Sequence, residues 1–296
     1  MAFKQVTIIG TGLIGGSLGL ALKKRRLAGR IIGCDRAPVL ERAQGCGAIE
    51  AGSTSPADAV RGSDLVVLAT PVISILDLIG RLGPASLAKT LVTDVGSTKA
   101  EIVKRAAKSF GRSAGQRFLA GHPMAGKEHA GVEFADADIF EGAAWLFTPL
   151  PGQNVHAGHC GEFIRCAEKM GAKIAVVDPA DHDRFCAWIS HLPQMMSTAL
   201  AATLVDEFGP DVPVLDIGGR ALREMTRISG SPYSMWRDIA ITNRKNLSDA
   251  LQKLEQRLAH IRENLDSREL AAEFERAHEL RKAPPRRRVA TGKNRK

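Results

Sequence analysis

Short apolar runs punctuate the first 180 residues, at 6–9, 31–34, 65–69, 90–95, 117–120, 144–148 and 173–177. Gly, Asp, Ser or Pro follows most of them, and helical-length segments lie between several pairs. A run apolar at successive positions needs cover on both faces, the condition of a strand inside a parallel sheet flanked by helices. Alternation of such runs with helices predicts an α/β, doubly wound sheet with parallel strands.

Beyond Asp178-Pro179 the pattern becomes helical. Residues 182–208 read as one long apolar helix ended by Gly209-Pro210, buried nearly all round and bent at Pro193, whose ring and missing N–H interrupt the helical ladder. Leu247, Leu251, Leu254, Leu258, Ile261 and Leu265 recur at alternating steps of four and three. That stripe fits either a helix packed on its own domain or a dimer seam. Asp266-Ser267-Arg268-Glu269 resembles a capping box opening a last helix. The plan that follows is an α/β sheet domain at 1–180, an all-α helical domain at 181–283 and a basic, disordered tail at 284–296.

Charge changes this picture little once it is located. The net charge is +9, and eight of those positive charges lie within residues 281–296, which carry no acid. The basicity belongs to a tail and marks no domain face for nucleic acid. No apolar run approaches the roughly 18–20 residues that cross a bilayer, and no signal-peptide core follows the N-terminus. The expectation is a cytoplasmic protein without a nucleic-acid or membrane partner. The five cysteines, Cys34, Cys46, Cys160, Cys166 and Cys186, form no C-x-x-C and read as reduced thiols. His156, His159 and Cys160 lie close together, but three donors in a glycine-rich loop are weak evidence of a metal, and none is expected.

Candidate chemistry gathers at the carboxyl ends of the expected strands, where open α/β sheets bind ligands. Gly10-Thr11-Gly12-Leu13-Ile14-Gly15 follows the first strand and opens a helix. Its glycines allow a tight turn, approach of a pyrophosphate and close helix–strand packing, which makes Gly10, Gly12, Leu13, Ile14 and Gly15 a dinucleotide loop. Asp35 ends the second strand. A carboxylate there accepts hydrogen bonds from ribose hydroxyls and repels a 2′-phosphate, favouring NAD, although Arg36 beside it could reach such a phosphate. Thr70-Pro71 ends another strand. Ser97 fits either a substrate hydroxyl contact or the N-cap of a helix at 98–108. His122 follows a further strand, where an imidazole suits general-base work.

Gly-Thr-Gly-Leu-Ile-Gly-Gly-Ser at 10–17, Asp-Val-Gly-Ser-Thr-Lys at 94–99 and Gly-His-Pro-Met-Ala-Gly-Lys-Glu at 121–128 resemble the prephenate/arogenate dehydrogenases. Ser-His-Leu-Pro at 190–193 and Met-Trp-Arg-Asp at 235–238 extend the resemblance over about residues 5–265. It implies a Rossmann-type domain followed by a helical domain that makes a homodimer. It assigns His122 to the base that takes the proton of the substrate's ring hydroxyl, Ser97 to its helper and Arg227 to a carboxylate-binding arginine. Glu128, His191 and Trp236 match positions near the substrate, Trp236 by analogy from the neighbouring subunit. Gln194 stands where the family commonly has a second histidine. From residue type alone His191 and Trp236 also fit a core, and Arg227 a surface ion pair.

The chemistry suits these residues. Removal of the hydroxyl proton drives a hydride to the nicotinamide, and loss of carbon dioxide then makes the ring aromatic without a metal or a Schiff-base lysine. An arginine on the departing carboxylate would stabilise the ground state, so Arg227 is expected on the side-chain carboxylate. The expected activity is NAD-dependent prephenate dehydrogenation. Arogenate is the nearest rival substrate, because a neutral Gln194 tolerates a keto or an amino side chain. More distant rivals are a 3-hydroxyacid dehydrogenase, an imine reductase and a non-catalytic NAD(H) sensor.

Overall fold

The structure is a computed structural model describing residues 2–82, 90–127, 129–209 and 217–282. Its strands are β1 (Phe3–Ile9), β2 (Ala28–Cys34), β3 (Ala51–Ser53), β4 (Leu65–Leu68), β5 (Leu91–Asp94), β6 (Phe118–Pro123), β7 (Ala144–Thr148) and β8 (Lys173–Val176). The helices of the sheet region are α1 (Leu13–Lys24), α2 (Ala37–Gly45), α3 (Pro56–Ala59), α4 (Val72–Arg81), α5 (Ala100–Phe110), α6 (Ala114–Arg117) and α7 (Gly158–Lys169). The helical region contains α8 (Pro179–Cys186), α9 (Leu192–Phe208), α10 (Arg220–Thr226), α11 (Tyr233–Thr242), α12 (Arg244–Glu263) and α13 (Arg268–Lys282).

The strands form one sheet in the order β3-β2-β1-β4-β5-β6-β7-β8. Consecutive apolar residues divide between its two faces. Leu65 and Val67 enter one core cluster, with Ile8, Ile31 and Phe147. Val66 and Leu68 enter the other, with Ile9, Ile32 and Val92. This is the two-sided burial that the unbroken apolar runs required.

Three features depart from the sequence expectation. β7 runs antiparallel to β6, although β8 is parallel to β7. Strand direction is set by the connection and leaves no mark on side-chain periodicity. β3 is an additional edge strand of Ala-Gly-Ser, without the β-branched or aromatic residues that would announce one. The long helix is divided: α8 passes through a π turn, Ala187–His191, into α9. Pro193 lies in the first turn of α9, where its missing N–H is tolerated, and the widened turn absorbs the break.

This helix is also less buried than its composition suggests. Ile189 is 64% and Phe208 54% exposed, and Trp188 and Val205 are open as well. In the leucine stripe of α12, Leu247 is buried while Leu258 is exposed. Ser267, rather than Asp266, caps α13, its hydroxyl accepting the Glu269 N–H at 3.1 Å. The expected tail at 284–296 lies outside the described residues.

Candidate active site

The strand order reverses at β1, which lies between β2 and β4. The loops leaving β1 and β4 therefore part there and open a crevice. Gly10 has φ +93°, and a Cβ on it would come within 2.5 Å of the Ala69 carbonyl oxygen. Only glycine lets the two loops approach so closely. A Cβ on Gly15 would lie 1.9 Å from the Gly10 carbonyl oxygen, so that glycine closes the turn onto the helix. Gly12 is different: nothing stands within 4 Å of its Cβ position. It opens α1 without any side-chain cap, leaving backbone N–H groups aimed into open space. Leu13 is half-buried, and Ile14 packs on the core.

Asp35 stands beside this loop. Its Oδ2 accepts the Thr11 N–H at 2.8 Å and its Oδ1 accepts the Arg36 N–H at 2.8 Å. Thr70 has a buried hydroxyl with no hydrogen-bond partner, and Pro71 precedes α4. An open pyrophosphate cradle, an uncapped helix terminus, a carboxylate at the end of β2 and an orphaned hydroxyl across the crevice fit a dinucleotide.

His122 lies in β6, buried, with 8% exposure. β5 and β6 pair only through Val92–Phe118 and Thr93–Leu119. Past that point Asp94 and Lys99 take over. Asp94 Oδ1 accepts the Gly121 N–H at 3.3 Å, and the Lys99 ammonium donates to the Gly121 carbonyl at 2.8 Å while paired with Asp94 Oδ2. Both side chains are fully buried. Burial pushes the Asp94 carboxyl up and the Lys99 ammonium down, each opposed by the other's charge. The pair fixes the peptide preceding His122.

A chain of polar contacts continues behind the imidazole. His122 Nδ1 lies 3.0 Å from His182 Nε2, and His182 Nδ1 lies 2.8 Å from Asp183 Oδ1. Asp183 also accepts the N–H groups of Lys99 at 2.6 Å and Ala100 at 2.9 Å, capping α5 from the helical region. Ser97 therefore does not cap that helix, which begins at Ala100; it is left half-buried at the end of β5. Cys186 Sγ is 3.6 Å from His182 Nε2, with its thiol pushed up to about 12 by burial. His122, His182 and Cys186 are the group of three such donors drawn together among the described residues, rather than His156, His159 and Cys160. The two imidazoles already turn nitrogens toward each other.

Asn243 extends the network, donating to the Asp183 carbonyl at 2.7 Å and facing His191 Nδ1 at 3.2 Å. His191 Nε2 and Trp236 Nε1 are buried without partners, and the two rings meet edge-on at 6.0 Å within one chain. Buried polar atoms left unpaired are rare enough to mark a place where a ligand or a water completes the site. Gln194 is buried, and its amide donates to the Ile228 carbonyl at 2.9 Å and to Thr198 Oγ1 at 3.2 Å. It thereby holds the exposed turn Arg227–Gly230, which Arg227 opens. Glu128 lies outside the described residues.

Burial lowers the His122 imidazole well below its ordinary value, helped by His182, Lys99 and His191. Burial brings His191 down to about 4 and lowers His182 as well. The site holds neutral imidazoles at neutral pH. Sequence reasoning missed Asp94, Lys99, His182, Asp183 and Asn243. Asp94 and Lys99 bracket a motif already singled out, and Asp181-His182-Asp183 follows the Asp-Pro break, whereas nothing local distinguishes Asn243.

A glycine loop at a sheet switch point, with a neutral buried imidazole at the end of β6 on the same carboxyl edge of the sheet, defines a dinucleotide-dependent oxidoreductase. Residues 18–176 match the family described as prephenate dehydrogenase, nucleotide-binding domain, and residues 178–279 match prephenate dehydrogenase, dimerization domain. The chain belongs to the prephenate dehydrogenase family. It is 31% identical to the prephenate dehydrogenase of Lactococcus lactis subsp. cremoris over 95% of this chain and 77% of that protein. It is similar to the crystal structure of A. aeolicus prephenate dehydrogenase in complex with hydroxyphenyl propionate and NAD+, with TM-score 0.83 and 30% identity over 94% of this chain and 97% of that one. Synechocystis arogenate dehydrogenase follows, with TM-score 0.74 and 28% identity over 94% and 98% of the two chains.

Proposed function

We propose that the protein is an NAD-dependent prephenate dehydrogenase, converting prephenate to 4-hydroxyphenylpyruvate and carbon dioxide on the route to tyrosine, and that it works as a homodimer. The observation that carries this reading is His122. It is a neutral imidazole at a strand end beside the nucleotide crevice, with Nδ1 engaged by His182 and Nε2 left for a ligand. NAD, when bound, supplies the hydride acceptor.

His122 takes the proton of the ring hydroxyl, and Ser97, on the adjacent strand end, orients that hydroxyl. Asp94 and Lys99 fix the backbone that presents His122. Arg227, on the turn held by Gln194, pairs with the side-chain carboxylate and leaves the ring carboxylate free to depart. His191 and Trp236 offer their unpartnered N–H groups to substrate oxygens. The helical region covers the crevice and keeps water from the reacting carbon. Dimer formation would cover the apolar surface of Trp188, Ile189, Val205 and Phe208 that a single chain exposes.

Arogenate is the second reading, favoured by one observation. The Gln194 amide nitrogen is committed to Ile228 and Thr198, so a neutral, internally bonded side chain stands where a charged one would discriminate keto from amino. The test is NADH formation with prephenate and arogenate, using NAD and NADP in turn. Turnover of prephenate with NAD is expected; binding of NAD without turnover of either substrate refutes the enzymatic reading. His122→Asn should lower kcat about 10²–10⁴-fold, the range of a general base. The acid limb of kcat/KM should lie well below pH 6.5 and vanish in the variant. Wild-type turnover and an unchanged profile would remove His122 from the role.

A further inference from the structure

The geometry points to a proton store behind the active site: Asp183 and His182 set the tautomer of His122 and hold its proton between oxidation and rearomatisation. This rests on His122 being the base.

Asp183 is an acceptor on every side. It receives two backbone N–H groups, from Lys99 at 2.6 Å and Ala100 at 2.9 Å, so the nitrogen 2.8 Å from its Oδ1 must also donate. His182 therefore carries its proton on Nδ1. A neutral imidazole has one N–H and one lone pair, so His182 Nε2 is bare and accepts across the 3.0 Å contact from His122 Nδ1–H. The remaining nitrogen of His122, Nε2, is then the basic one. A single carboxylate, through two rings, makes the catalytic nitrogen a base.

The same chain gives the proton a place to wait. The substrate O–H bond breaks and an N–H bond forms at His122 Nε2, while the hydride leaves the ring carbon for the nicotinamide and a carbonyl forms. The N–H bond at His122 Nδ1 breaks and one forms at His182 Nε2, leaving His122 neutral and an imidazolium against the Asp183 carboxylate. Loss of carbon dioxide then sends the carbon–carbon bond pair into the ring and negative charge onto oxygen. The proton returns along the same two bonds to that oxygen. The reaction releases no net proton, so a store suits it better than an exit. The titratable groups around the pair fit: Lys99 is paired with Asp94, His191 is neutral near pH 7, and Cys186 remains a thiol.

His182 and Asp183 are positioning residues, and nitrogen NMR of the full chain labelled at histidine tests them without turnover. The expected spectrum has His122 and His182 both protonated on Nδ1; a bare Nδ1 on His122 overturns the proposal. Asp183→Asn puts an amide donor in place of one accepting oxygen, either Oδ1, which Lys99 N–H and His182 Nδ1 share, or Oδ2, which takes the Ala100 N–H. With the amide turned to His182 both tautomers should reverse; with the oxygen there the negative charge beside the His182 imidazolium is still lost. In either orientation kcat should fall at least about 100-fold, as general-base loss does, with KM and NAD affinity little changed. Wild-type kcat in that variant also overturns the proposal. If it fails to fold, His182→Gln decides: its amide oxygen preserves the His122 tautomer but holds no proton, so kcat should drop while the His122 nitrogen shifts stay, and unchanged kcat overturns the store. A chain inactive on both substrates would sink the functional reading, while the nitrogen shifts would still judge the tautomers.

Discussion

Lys99→Met isolates the part of the site that holds His122 in place. The variant leaves the Asp94 carboxyl fully buried without its partner and takes a donor from the Gly121 carbonyl. A buried carboxylate so abandoned escapes by taking a proton, and this bounds the cost. In the unfolded chain its ordinary value is 3.8, so holding it neutral in the fold at pH 7 costs about 4 kcal/mol, at about 1.4 kcal/mol per pH unit. The lost bond to Gly121 adds about 1 kcal/mol. The sign follows from proton counting: the folded variant holds a proton that the unfolded chain releases, so stability is lost as pH rises above 3.8. At pH 5 the carboxyl part shrinks to about 1.6 kcal/mol. Urea unfolding at pH 5 and 7, at one protein concentration, measures both values. In Asp94→Asn/Lys99→Met the pH dependence should disappear and most of the stability return, since a neutral pair leaves no buried charge. A loss under about 1 kcal/mol at pH 7, or one independent of pH, would refute the claim that this pair is a buried ionic clamp.

Other consequences are as specific. Burial holds His191 near 4, against an ordinary 6.5. The unfolded chain therefore takes up a proton that the fold refuses as pH falls from 6.5 toward 4, and about 3 kcal/mol is lost across that window. His191→Gln should flatten the pH dependence of urea stability there by about 1.4 kcal/mol per unit; an unchanged slope would contradict its buried, neutral state. Asp35→Ser removes the carboxylate from the end of β2 while Arg36 remains, so kcat/KM with NADP relative to NAD should rise at least about tenfold, or about 1.4 kcal/mol. An unaltered ratio would place cofactor choice elsewhere.

The sequence made much of this legible, for reasons that also mark where reading stops. Consecutive apolar positions at 65–68 require a strand covered on both faces, and the structure divides them between two cores. The glycine spacing encodes close approach, visible in the contacts a Cβ would make at Gly10 and Gly15. Strand direction at β7 has no local signature. Neither does the burial of α9, because an apolar helix reads the same whether its own domain or a second chain covers it. The network behind His122 was hidden for another reason. His182, Asp183 and Asn243 act on groups some 60 to 84 residues away, and such partnerships are set by docking, not by pattern. Asp94 and Lys99 stood inside a visible motif, but their work of continuing the β5–β6 pairing appears only where the ladder stops at Thr93–Leu119.

Electrostatics at the carboxyl edge of the sheet gives these pieces one logic. Helices α1, α4 and α5 begin there, and each N-terminus carries partial positive charge that attracts an anion. The helical region neutralises two of them: Asp183 caps α5, and Asp238 Oδ2 accepts the Ile73 N–H of α4 at 3.0 Å. The start of α1 receives no side-chain cap and opens onto the empty space around Gly12. One anion site therefore remains among the three, at the glycine loop, where a pyrophosphate belongs. The two carboxylates that close the other termini dock the helical region onto the sheet, and one of them continues through His182 to His122. Removing the cover would expose two helix termini and strip His122 of its His182 contact together, so the nucleotide crevice and the surroundings of His122 are assembled by the same contacts.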